Sequence, residues 1–171
     1  MNKDQSVPEL TRALLLLEGL LYGVTADDII NQKELNKLKD WKKLHYEQIK
    51  HHPVGDLMQM IDSSAGSHIL PENEKQFIRD FCRQYGPCEK EQDSYSCDLI
   101  RMEGYLNGIL ADKKIYTVEI CAFYEWLTAR PHLKQFEGYS KLEGMIRDFL
   151  AGNGTNKEDL YSYLEDVTAS L

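Results

Sequence analysis

Two acidic residues seven positions apart occur twice in this chain, Asp27 with Glu34 and Asp112 with Glu119. Carboxylates are the side chains that hold hard cations such as Ca²⁺ and Mg²⁺ through oxygen. An Asp and a Glu on either side of a tight turn can converge on one ion. Asp27, Glu34, Asp112 and Glu119 are therefore the candidate ligands for a divalent cation, calcium or magnesium. The spacing is not that of an EF-hand, whose twelve-residue loop places oxygen ligands at several alternating positions and ends on a Glu. Asp28 adds an acid in the first copy, where the second has Lys113 and Lys114. Glu18 and Glu103 also recur, each beside a glycine and four residues after a core leucine.

These acids belong to a longer repeat. Leu14, Glu18, Gly19, Leu21, Gly23, Ala26, Asp27, Ile30, Glu34 and Trp41 return 85 residues later as Leu99, Glu103, Gly104, Leu106, Gly108, Ala111, Asp112, Ile115, Glu119 and Trp126. An internal repeat is one structural unit used twice. Much of the repetition follows from folding alone. Asn31 followed three residues later by Glu34 fits a capping box, with Ile30 and Leu35 as its hydrophobic staple. Ile115 and Ile120 hold the staple positions beside Glu119, and Thr155 to Glu158 reads as a further box. Capping leaves Asp27 and Asp112 unaccounted for, since the dipole at the end of the preceding helix disfavours an anion. Gly19 and Gly104 sit in mid-helix, at about 1 kcal/mol against Ala, which predicts a close helix approach.

The elements that must position these residues are helices. Apolar residues fall at helical spacing nearly throughout: Leu10, Leu14, Leu17, Leu21 and Val24 first, Leu160, Leu164 and Val167 last. Pro8 and Pro71 suit helix starts, while His52-Pro53 and Arg130-Pro131 follow the second helix of each half. The expected fold is all-α, two pseudo-symmetric four-helix repeats with about eight helices, packed as one compact body that buries Trp41 and Trp126. The expected units are 1–85 and 97–171, joined by a polar junction at 86–96.

The pattern Leu106-x-Gly108-Ile109-Leu110-Ala111-Asp112-x-x-Ile115-x-x-x-Glu119, running on to Trp126-Leu127, resembles the TerB-like (tellurite-resistance type) helical family. It is similar to the helical domains found beside BRCT modules in bacterial and phage proteins. Phe149-Leu150-Ala151-Gly152-Asn153-Gly154 before Glu158 resembles that family's second aspartate-glycine turn. The resemblance covers 99–166 best and 14–81 as a diverged copy. It implies an all-helical domain, acids that chelate a divalent cation (here Asp27, Glu34, Asp112 and Glu119), and roles in stress response, phage defence or protein assembly. The chain departs from the family in carrying Asp28 and Lys113 where Gly follows the Asp, and Gly152-Asn153 for the second Asp-Gly.

Composition narrows the function classes. The formal net charge is −8, with −2 in residues 1–85 and −6 in 86–171, which argues against a basic groove for nucleic-acid phosphates. No signal peptide and no membrane-spanning apolar run is expected, so the expected location is the cytoplasm. Cys82, Cys88, Cys97 and Cys121 do not read as a disulfide framework, and Cys82 and Cys121 are expected to pack as small hydrophobes. His51-His52 adjoins a helix end, where imidazolium suits the dipole. Tyr139, Tyr161 and Tyr163 could enrich a contact surface, although helical spacing makes several of the ten tyrosines core. The expected function is a non-enzymatic interaction domain with a protein partner, a second copy of the chain being one candidate, and no cofactor beyond the divalent ion. The alternative is an acidic inhibitor, such as a phage anti-defence protein, covering a basic surface on a host protein. A carboxylate-metal enzyme ranks third, because no nucleophile or base accompanies the acids.

Overall fold

Helices with apolar residues on more than one side must be buried on more than one side, and the chain has two of them. In a computed structural model, which describes residues 9–50, 54–64, 71–85 and 94–171, they are α1 (Glu9–Val24) and α6 (Ser94–Ile109). α1 buries Leu14, Leu17, Leu21 and Val24 toward one side, while Leu15 packs with Cys97 and Ile100 of α6 on another. α6 likewise buries Met102, Tyr105, Leu106 and Ile109 among the residues of the second half.

The two helices run side by side in the same direction, packed backbone to backbone through four glycines. A Cβ added to Gly19 would run into the carbonyl oxygen of Arg101, and one on Gly104 into that of Leu16. One on Gly23 would meet the carbonyl oxygen of Tyr105, and one on Gly108 would lie 2.7 Å from Gly23 Cα and 2.9 Å from the Leu20 oxygen. The contacts are reciprocal: Leu16 and Arg101, and Leu20 and Tyr105, are equivalent positions 85 apart. The close approach predicted from the mid-helix glycines is present.

Around this pair lie α2 (Gln32–Leu44), the one-turn α3 (Tyr46–Ile49), α4 (Val54–Ser64) and α5 (Glu72–Tyr85), then α7 (Thr117–Thr128), α8 (Tyr139–Ala151) and α9 (Lys157–Ser170). A 3₁₀ segment, Pro131–Gln135, precedes α8. The described residues are thus all-helical, with eight helices of ten residues or more in a compact body. α6, α7, α8 and α9 each begin 85 residues after α1, α2, α4 and α5. None is long and apolar enough to cross a membrane.

Several expectations need adjusting. α6 already begins at Ser94, so Ser94, Tyr95 and Ser96 are helix rather than junction. The cap of α9 is Asn156, whose side chain accepts the Asp159 N–H at 2.8 Å, not Thr155 with Glu158; the sequence offers both registers, and the Asn side chain takes the cap. Cys121 is exposed and Cys97 is the buried thiol, because α7 buries Glu119, Ile120, Phe123 and Leu127 and Cys121 lies off that face. The tryptophans serve separate cores: Trp41 packs in the first-half cluster and donates its indole N–H to the Ala13 carbonyl at 3.1 Å. Trp126, expected to be buried, is only half-buried, because it lies at the edge of the second cluster, where it stacks at 6.1 Å on Phe123. Pro8, His51-His52, Pro53, the polar stretch 86–93 with Cys88, and the side chain of Cys82 lie outside the described residues.

Candidate acidic centre

The in-register crossing of α1 and α6 brings their C-terminal ends together, and with them the two turns that carry the repeated acids. Each turn is built alike. Asp27 accepts the Ile29 N–H at 3.0 Å and Asp112 accepts the Lys114 N–H at 2.8 Å, two matching Asx-turns. The next residue is left-handed in both copies, Asp28 at φ 69° and Lys113 at φ 66°, the conformation for which Gly is the usual residue. In both copies a residue other than glycine thus holds the backbone shape that glycine would favour.

Glu34 and Glu119 open α2 and α7. The Asn31 side chain accepts from the Lys33 and Glu34 N–H groups, and Glu34 Oε2 accepts the Asn31 N–H at 2.7 Å. The capping box expected at Asn31 is complete. In the second copy Glu119 Oε2 accepts the Tyr116 N–H at 3.2 Å. Both glutamates are almost fully shielded, at 2% and 1% exposure.

The four acids form one electrostatic group. Burial raises Glu34 to about 7; the Asn31 N–H opposes the rise, and Asp27 and Asp112 add to it. Burial raises Glu119 to about 8; the Tyr116 N–H opposes, and Asp27, Glu34 and Asp112 push further. Each glutamate thus senses the aspartate of the other half. Asp112 is itself buried, and its side chain also accepts the Tyr116 hydroxyl at 3.3 Å. The first half reaches across directly, where Lys33 Nζ donates to the Asp112 carbonyl at 3.1 Å. Among the described residues no three His, Cys, Asp or Glu side chains stand as a ready-made chelating group.

The chain matches no family model, no curated protein and no solved structure.

Glu18 and Glu103 stand apart from this centre, on the α1–α6 crossing. Glu18 accepts Arg101 Nε at 2.7 Å, and Glu103 accepts Arg12 Nη2 at 2.7 Å. Their recurrence reflects helix pairing across the crossing, each with an arginine of the other half.

Sequence reasoning passed over Asp98. Buried on α6, it accepts Arg101 Nη1 at 2.8 Å and pairs with His132 Nε2 at 2.7 Å, with Arg130 Nε at 3.3 Å. Burial works against the Arg101 charge, but Glu18 and Asp98 outweigh it and hold its pKa above the usual value. Arg130 in turn lies over the Trp126 ring at 4.1 Å. Asp98 and Arg101 correspond to Ala13 and Leu16 in the first half, so the repeat gives no hint of the network. A charge on the apolar face of α6 was the available signal.

Proposed function

We propose that the chain is a non-enzymatic, TerB-like interaction domain made of two four-helix repeats, whose paired acidic turns take up a divalent cation, Ca²⁺ or Mg²⁺, and whose partner is a protein. The observation that supports this reading is that Asp27 and Asp112, one from each turn, both act electrostatically on the buried Glu34 and Glu119. Carboxylates held together away from water repel one another, and protons or a cation relieve the repulsion. One oxygen of each is committed to a backbone N–H and the second oxygen of Asp112 accepts the Tyr116 hydroxyl, so a cation would draw in the second oxygens of Asp27, Glu34 and Glu119 and compete with that hydroxyl for Asp112. Such an ion would tie the two turns, and hence the two halves, to each other.

Thermal unfolding with added Ca²⁺, Mg²⁺ or Mn²⁺, against a chelator blank, tests this. An ion at 100 times its dissociation constant adds about 2.7 kcal/mol, a rise in Tm of roughly 5–10 °C for a chain of this size. Asp27→Asn with Asp112→Asn should abolish the rise. No rise with any ion, or an equal rise in the double variant, refutes the cation site.

The acidic-inhibitor reading has its own support in α9, which exposes Glu158, Asp159, Glu165 and Asp166 along one chain segment. Capture of a basic protein by this surface would weaken steeply with added salt; salt-insensitive capture would count against it.

A further inference from the structure

The turn that carries Asp112 forms one wall of a cleft of about 360 Å³ between the α6–α7 turn and the start of α9. That is at the lower end of the range for small-molecule sites. Its polar lining is Lys113, Lys114 and Lys157 with the rings of Tyr116 and Tyr161; Ile115 contributes apolar surface, and Glu158 is the one carboxylate. In a chain of net charge −8, three ammonium groups around one concavity oppose the general trend. None of the three has an ion-pair partner among the described residues. Lys114 instead lies beside the Tyr116 hydroxyl.

The first half supplies a control within the same molecule. The positions equivalent to Lys113, Lys114, Tyr116, Lys157 and Tyr161 are Asp28, Ile29, Asn31, Glu72 and Gln76. Every basic and aromatic group of the lining is confined to the second half, although helix boundaries and turn geometry are shared. The fold does not demand lysines there. Lys113 even occupies a left-handed backbone position, which a long side chain takes up less readily than Gly, Asn or Asp.

We infer that this cleft is a binding site for a nucleoside phosphate, with the phosphates on Lys113, Lys114 and Lys157 and the base against Tyr116 and Tyr161. Ammonium groups bind phosphate oxygens as point charges, and a tyrosine face accepts any base by stacking. An acidic peptide would use the lysines but leave the two rings idle, so the nucleoside phosphate is the better match to the whole lining.

Calorimetric titration of the full chain with ADP, inorganic pyrophosphate and adenosine, at low salt and without divalent ions, tests the inference. Omitting divalent ions keeps the outcome separate from that of the cation site. ADP should bind more tightly than pyrophosphate or adenosine. The variant Lys113→Asn/Lys114→Gln/Lys157→Gln should weaken ADP by about tenfold or more, since it removes three surface charge contacts. Its Tm should not change, because all three lysines are exposed. If that variant unfolds, Lys113→Asn alone, compatible with the left-handed backbone, should still weaken ADP. Absence of ADP binding at millimolar concentration overturns the proposal. So does pyrophosphate binding as tightly as ADP, ADP binding unchanged in the folded variant, or a polyglutamate peptide displacing ADP at lower concentration.

Discussion

Replacing Gly108 with Ala should separate α1 from α6, and its effect can be worked from the crossing. The new Cβ would lie 2.7 Å from Gly23 Cα, 2.9 Å from the Leu20 oxygen and 2.9 Å from the Val24 nitrogen. Carbon pairs rest at about 3.5–4.0 Å, so the helices must part by roughly 1 Å. All three neighbours are backbone atoms, and no side chain can swing away to make room. Overpacking of this kind costs typically about 1–3 kcal/mol, occasionally more, while Ala in place of a helical Gly returns about 1 kcal/mol. A contact made wholly against backbone belongs at the upper end, so the net loss should be about 2 kcal/mol, a fall in Tm of roughly 4–8 °C. Gly144 is the control: it sits inside α8 with nothing within 4 Å of an added Cβ. Gly144→Ala should therefore stabilise, by up to about 1 kcal/mol. Chemical denaturation of both variants, with the m-value checked, gives the comparison. If Gly108→Ala proves as stable as the parent, or moves in the same direction as Gly144→Ala, the backbone-packed crossing is wrong.

Other contacts carry consequences of their own. Glu34 and Glu119 have folded pKa values raised to about 7 and about 8 from an ordinary value of 4.5, so the folded state holds more protons than the unfolded between those limits. Stability should fall as pH rises from about 4.5 to 8, by at most about 1.4 kcal/mol per pH unit for each proton, and Glu119→Gln should flatten the profile and raise stability at pH 9. Asp98→Ala leaves Arg101, Arg130 and His132 around an absent carboxylate and should cost about 3–5 kcal/mol in a urea melt. Glu103→Ala, at the more exposed pair with Arg12, should cost about 1 kcal/mol or less. Trp41→Phe gives up the bond to the Ala13 carbonyl, whereas Trp126→Phe removes a buried N–H that has no partner. The first should destabilise more, by about 1 kcal/mol or more, as read from the two melts.

The helices were legible because their signals are local. Apolar spacing, the Asn31–Glu34 box and the Ile30 and Ile115 staples concern residues within one or two turns of each other. The mid-helix glycines were legible for the opposite reason, since they make no local sense and call for a neighbouring backbone. Which neighbour they meet was not written anywhere along one segment. The electrostatic influence of Asp27 on Glu119 and of Asp112 on Glu34 depends on that choice, so nothing local to either acidic turn in the sequence reveals it. Asp98 escaped because its partners, Arg130 and His132, lie more than thirty residues away, and its equivalent in the first half is Ala13. Cys121 was misplaced because a residue of apolar type on the outer side of α7 cannot be told from a core residue by composition.

The reciprocity of the glycine crossing carries a consequence for assembly. A face that fits its own equivalent, Gly23 against Gly108 and Gly19 against Gly104, is the geometry by which two identical half-length chains would pair as a symmetric dimer. Joining the two copies makes that association intramolecular and independent of concentration. Within one chain the two sides of the crossing need not be alike, and the arginines are where they differ: Arg12 and Arg101 occupy positions whose counterparts are Cys97 and Leu16. Each therefore answers a glutamate of the opposite copy from a place that its twin has left without a charge. The glycines make the crossing symmetric, while the ion pairs make it unlike on its two sides.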